Sequence, residues 1–214
     1  LKHTQKRRFL SALRGLDADY IVIDLGAGSS YNTVDFFLLA DSQIIVVIPE
    51  PTSIETAYRF IKNSFFRQIF HNSKNYGLKS VVTPILHKDN SYNVNTPKEL
   101  IDYLNKLGGS ATVFIEEQLQ LFKPKMILNQ VRTERGQLVG PAMKAACSKY
   151  FNLNIKFMGY IAEDESVWKS VLDRKPLAVA HPDGVPIQQL KKICADILLE
   201  ETDGAAKNNL LSQL

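Results

Sequence analysis

The segment Tyr20-Ile-Val-Ile-Asp-Leu-Gly-Ala-Gly28 constrains the fold more than any other stretch of this chain. An apolar run ends in Asp24 and breaks into a glycine-rich turn. So short a run, bounded by glycine, has the pattern of a strand buried on both faces, as in a parallel sheet. Parallel α/β sheets bind ligands beyond the carboxyl ends of their strands. That places Asp24 where a metal-bound phosphate would be held. Gly26 and Gly28 would let backbone N–H groups approach the phosphate closely. The same residues also read as a strand-to-helix turn with an acidic cap.

Three further runs rich in Ile, Val, Leu or Met fall at 43–48, 125–131 and 155–161, each a strand by composition. Helical patterns lie between them at 33–39, 53–70, 137–151 and 165–173. A last one, at 186–200, has Pro186 in its first turn. Alternation of this kind predicts an α/β fold, a mostly parallel sheet with helices on both faces. The rhythm breaks at 71–122, where only 79–82 has strand character. Pro97 opens a helix to residue 107, Gly108-Gly109 stops it, and Ser110 could cap a second helix to residue 122. This stretch reads as a helical insertion, either a plain packing unit or a lid or partner-docking surface. One domain is expected over 1–203, with a mobile tail over 204–214.

Composition narrows the class. Of 214 residues, 45% are hydrophobic and 22% charged, enough for one good-sized core. No apolar run reaches membrane-spanning length. Cys147 and Cys194 lie far apart without metal-ligand spacing and read as buried reduced thiols, which points to a cytoplasmic location. The net charge of +4 is mild. Lys2, Lys6, Arg7 and Arg8 supply much of it, and a solvated helix face accounts for them better than nucleic acid does. That helix is expected over 4–16, with Phe9, Leu10, Leu13 and Leu16 on one face. Leu1 would open inside it, so an upstream portion is expected.

Three more segments carry candidate chemistry. In Ile44-Ile-Val-Val-Ile-Pro-Glu-Pro-Thr-Ser53, prolines fix the turn at a strand's carboxyl end, and Thr52 or Ser53 caps a helix. In Met126-Ile-Leu-Asn-Gln-Val131, Asn129 and Gln130 end another strand. A side-chain amide offers donor and acceptor together, which suits an adenine edge, although Asn is also a common turn residue. In Met158-Gly-Tyr-Ile-Ala-Glu-Asp-Glu-Ser-Val-Trp168, a strand runs into an acidic turn. Its acids favour a helix N-terminus, or the loop lines a base or ribose pocket.

Taken in order, these segments resemble the MinD/ParA family of P-loop ATPases, and more closely a MinD-like branch linked to flagellar and cell-pole placement. The run 20–28 is similar to the family's D-x-x-x-G strand end, and Pro49-Glu50 to its P-E turn. Asn129 falls at its adenine-reading asparagine. Gly159 to Val167 looks like its G-x-I-P-E-D-x-x-V loop, and Lys175-Pro176-Leu177 like the G-x-P-V segment that follows. The resemblance covers about 17–62 and 124–200. It implies ATP with Mg2+ as cofactor, homodimerisation on ATP binding, a regulatory protein partner, and room for transient membrane-surface contact. It also implies that Asp24 holds the metal through water while the Gly28 N–H senses the γ-phosphate. Asn129 would read the base, and Pro49, Glu50, Ala162, Glu163 and Asp164 would line its pocket.

The sequence departs from the family in three ways. No G-x-x-x-x-G-K-[ST] phosphate loop occurs in these 214 residues. Ala162 replaces the usual proline, and 71–122 is longer than in compact members. Without a C-x-x-C pair, the iron–sulfur branch is set aside. The alternative expectation is a degenerate, non-catalytic scaffold that binds a protein partner through the insertion. The metal role has a direct test. In a form of the protein that includes a phosphate loop, Asp24→Asn should fold normally and abolish ATP hydrolysis, because the near-isosteric swap removes the metal-holding charge. Turnover at the wild-type rate would reduce Asp24 to a turn residue.

Overall fold

Three parallel strands lie in the order β1-β2-β3: β1 Ile44–Val47, β2 Lys125–Val131 and β3 Lys156–Ala162. The computed structural model describes residues 9, 12, 13, 15–87 and 91–211, with side chains through Glu200. The basic cluster and most of the helix expected at 4–16 lie outside the described residues. Parallel strands need crossover connections, and helices supply them here. Helix α1 (Tyr31–Leu39) precedes β1. Helix α2 (Pro51–Asn72) follows it, then α3 (Lys79–Ile85), α4 (Pro97–Leu107) and α5 (Ser110–Leu121). Between β2 and β3 come α6 (Glu134–Gln137), α7 (Val139–Ala146) and a π-helical turn, Cys147–Phe151. After β3 come α8 (Glu165–Leu172), α9 (Leu177–Ala180) and α10 (Val185–Leu211). Thus the backbone of 201–211 continues the last helix, past the expected end at 200.

Local chemistry explains the helix limits. Ser30 caps α1 by accepting from the Thr33 N–H at 3.2 Å. Pro51 sits at the first position of α2, where its missing donor has no partner to lose. Thr96 and Glu99 form a reciprocal capping box on α4, which satisfies two orphan donors. Asp164 caps α8 by accepting from the Ser166 N–H at 2.8 Å.

The sheet buries both faces under helices, but unequally. Ile45, Val47, Met126 and Leu128 point into the main core with Ile61, Phe65, Leu100 and Phe114. Ile127 and Met158 point to the opposite face, where Ile193 of α10 covers them. Val46 pairs in register with Ile127 and shares that second face, yet it is 59% exposed. α10 therefore covers the β2–β3 side and leaves β1 open.

Two expected strands are not formed. The segment 20–24 has no strand pairing, and Val22 is 92% exposed. A strand exists only where a neighbour takes its backbone groups, and none of the described strands reaches it. The stretch 79–82 is helical, within α3. Its Val82 and Ile85 are fully buried in the main core, so packing overrode β propensity. The insertion at 71–122 forms as a helical unit, and its apolar faces join the same core. Buried amides tie it to α2. The Gln68 side-chain amide donates to the Gln118 carbonyl at 3.0 Å and to the Gln118 side chain at 3.1 Å. Asn72 donates to the Gln118 side chain at 2.6 Å.

Two outcomes test this packing. Gly140 of α7 is buried, and a Cβ there would lie only 2.3–2.6 Å from three carbons of the Phe157 ring of β3. Gly140→Ala should therefore destabilise by about 1–3 kcal/mol, as overpacking does, seen as a lower urea midpoint at unchanged slope. The second concerns Glu99, whose carboxyl the Asn95 N–H, and secondarily the Thr96 N–H, hold below its ordinary value of 4.5. A carboxyl lowered by folding stabilises above its unfolded pKa, and that stability is lost as pH falls through the folded value. Wild type should exceed Glu99→Gln in stability at pH 7, and the gap should shrink as pH falls below the carboxyl's ordinary value and through its lowered folded one. A gap independent of pH would disconnect the box from the charge.

Candidate functional site

All three strands are parallel, so their carboxyl ends meet at one edge. β1 runs into Ile48-Pro49-Glu50, β2 into Arg132-Thr133, and β3 into Glu163-Asp164. The first two turns enclose a shallow cleft of about 230 Å³, lined by Ile48, Pro49, Glu50, Gln130, Arg132, Thr133 and Gly136.

Each turn is held by its own hydrogen bonds. The Ile48 N–H donates to the Ser53 hydroxyl at 3.0 Å, folding the proline turn back on α2. Thr133 caps α6 by accepting from the Gly136 N–H at 3.1 Å. Gly136 brings that turn close to the first one. A Cβ there would meet Val131 at 3.3 Å and Pro49 at 3.7 Å, so a larger residue would push the walls apart. The Glu163 N–H donates to the Val131 carbonyl at 3.1 Å. The Ala162 N–H donates to the Gln189 side chain at 2.8 Å, anchoring the end of β3 to α10.

β2 carries a bulge at this edge. Leu128 pairs with Tyr160 and Val131 with Ala162, so β2 holds one extra residue. Gln130 absorbs it at φ +55°, a left-handed conformation uncommon outside glycine. Bulges re-aim side chains, and here Gln130 faces the cleft. Asn129 does not line it. Its side-chain oxygen instead accepts from the Gln130 N–H at 3.0 Å.

Charges alternate along the edge. The Arg132 guanidinium donates twice to Glu163, through Nη2 to Oε1 at 2.9 Å and through Nε to Oε2. The Glu163 hydrogen bonds and charge, with a smaller contribution from Glu50, raise the Arg132 pKa further. An acid, a base and an acid thus stand in a row, one beyond each strand.

The expected site residues divide. Pro49 and Glu50 line the cleft, and Glu163 reaches it through Arg132, one residue beyond Ala162. Asp164 serves as the cap of α8. Asp24 and Gly28 are exposed and do not line the cleft; Gly28 has a positive φ of +110°. Sequence reasoning missed Arg132, Thr133, Gly136 and Gln189. The first three follow Asn129 so directly that the turn after β2 could have been marked from Thr133 and Gly136 alone.

Among the described residues no group of three His, Cys, Asp or Glu side chains could hold a metal. A single carboxylate still fits Mg2+, which takes one or two carboxylates together with substrate phosphates. Burial pushes the Cys147 thiol up to about 12, so it is a packing residue. Cys194 is exposed, contrary to the expectation of two buried thiols. No helix among the described residues is long and apolar enough to cross a membrane. No family model matches the chain, and no curated protein is significantly similar to it.

Proposed function

We propose that this chain belongs to a MinD/ParA-like ATP-dependent positional switch, in which bound ATP and Mg2+ control homodimerisation and the engagement of a regulatory protein. One observation carries the reading. Pro49, Glu50 and the residues just after Asn129 are far apart in sequence, and they line one cleft at the carboxyl edge of a parallel sheet. A cleft at this edge is where α/β folds place nucleotides.

Roles follow from chemistry. Gln130 would contact the base in place of Asn129, whose side chain is turned onto the Gln130 N–H, with Ala162, Glu163 and Asp164 flanking the cleft rather than lining it. Asp24 would hold Mg2+ through water, and Gly28 would sense the terminal phosphate through its N–H. Asp24 would be the residue holding Mg2+, which when bound would supply positive charge to offset the charge of the phosphates. A segment such as 24–28, outside the sheet and exposed except for Leu25, can be ordered by a γ-phosphate, which is how nucleotide switches work.

The scaffold reading has its own support. Leu107, Val113 and Leu121 of the helical unit are each at least half exposed, apolar surface that a protein partner could cover.

Titration of the 214-residue chain with MgATP, followed by NMR, separates the two. These residues contain no phosphate loop, so binding should be weak, with Kd near 1 mM or about −4 kcal/mol. Resonances of residues 48–50 and 129–136 should shift. Gln130→Ala should weaken ATP by about 1–3 kcal/mol, Asn129→Ala should do so less, and both should leave thermal stability nearly unchanged. If saturating MgATP moves no resonance in the cleft, the scaffold reading prevails.

A further inference from the structure

Helix α8 packs with its polar side inward. Trp168, Val171 and Leu172 fall at helical spacing on one side, and that side faces solvent, at 53%, 71% and 69% exposed. The inner side carries serines instead. Ser170 is buried, its hydroxyl donating to the Val167 carbonyl at 2.7 Å, and the Ser166 hydroxyl oxygen is buried as well. Both ends hold the helix in this orientation. Asp164 caps the start. Past the last turn, the Arg174 N–H donates to the Val171 carbonyl at 3.1 Å and the Lys175 N–H to the Ser170 carbonyl at 3.0 Å. α9 packs beside α8 and leaves Val179 exposed too.

A surface helix ordinarily buries its apolar side. Taking about 150–250 Å² for each whole large side chain, the three residues of α8 expose roughly 300–500 Å². That matches the largest apolar patch on an ordinary monomer, a patch that is often functional. Val179 and a polar rim bring the surface toward the ~800 Å² that each partner gives a standard interface. An exposed Trp at its middle is the residue type that most often anchors one.

Charge selects the occupant. Residues 164–175 hold three acids and three bases, so an anionic membrane meets no positive excess. The two ends differ, however. Asp164 and Glu165 open the helix, while Arg174 and Lys175 follow its end and outweigh Asp173. Laid antiparallel on a copy of itself, α8 sets its acidic start against the copy's basic end. A twofold axis makes that contact twice, and it also brings Trp168 opposite the copy's Val171.

We infer that α8 is a self-association surface. Two copies of this chain pair through Trp168, Val171 and Leu172, with each α8 antiparallel to the other. The contact needs no nucleotide, so it is separate from the ATP-dependent pairing proposed above. The open face of β1 takes no part in it.

Sedimentation velocity on the 214-residue chain without nucleotide tests this. At micromolar concentration a species of twice the chain mass should form. Trp168→Ser should raise the dissociation constant at least about tenfold, as loss of an interface anchor does, and leave the melting midpoint of the monomer unchanged. Glu165→Lys and Arg174→Glu should each weaken the dimer. Mixed together, those two variants should recover it, because each altered end then meets its complement. Val46→Lys, on the open face of β1, should leave it intact. A chain that stays monomeric overturns the inference. So does a dimer that forms only with MgATP, survives Trp168→Ser or is lost in Val46→Lys. Failure of the two charge variants to pair when mixed overturns it as well. The MgATP titration decides the nucleotide reading independently of all these outcomes.

Discussion

Parallel pairing of β2 with β1 on one side and β3 on the other is the constraint that the rest of the structure obeys. Parallel strands cannot be joined by hairpins, so every connection must cross the sheet through helices. Met126 and Leu128 then join the main core with residues of α2, α4 and α5, while Ile127 lies in the opposite cluster with Ile193 of α10. The same geometry sends all three strand ends to one edge. A cleft at that edge follows from direction alone, before any functional side chain is considered.

Charge is placed to suit the two ends of the sheet. At the carboxyl edge Glu50, Arg132 and Glu163 alternate beyond the strands. At the amino end, Lys125 and Lys156 both approach Glu200 of α10, and the Lys125 ammonium also donates to the Ser42 hydroxyl. α10 is thus fastened at both ends of β3, through Gln189 above and Glu200 below. A helix held at two points along a strand leaves the end of β3 little freedom.

β1 is the exception to this closure. Its four residues are apolar on both faces, the pattern of a central strand, but β1 lies at the end of the strand order. Ile44 and Val46 remain exposed on the face that α10 does not reach. The segment 20–24 is also apolar but is largely uncovered, with Val22 92% exposed. β1 forms a strand because β2 pairs with it and the core takes Ile45 and Val47, whereas 20–24 has neither among the described residues.

Much of this architecture was legible in the residues. The limits of β2 and α4 could be read directly, because a dense apolar run, a Pro at the first helical turn and a Gly pair at the end are local signals with local causes. The α/β class and the common edge of the strand ends follow from the alternation of such signals. What sequence could not decide was anything set by a distant partner. Residues 79–82 became helix because Val82 and Ile85 found a pocket in the core, and 20–24 stayed unpaired because no described strand lies beside it. One extra residue in β2 turned Gln130 rather than Asn129 into the cleft, a choice made by register with β3. Arg132 and Glu163 are 31 residues apart, and only the folded sheet brings them together. Propensity and patterning act over a few residues, so the chain itself determines its elements and their direction. Which side chains meet at the edge is fixed by strand register and close packing, and these exist only once the whole sheet has formed.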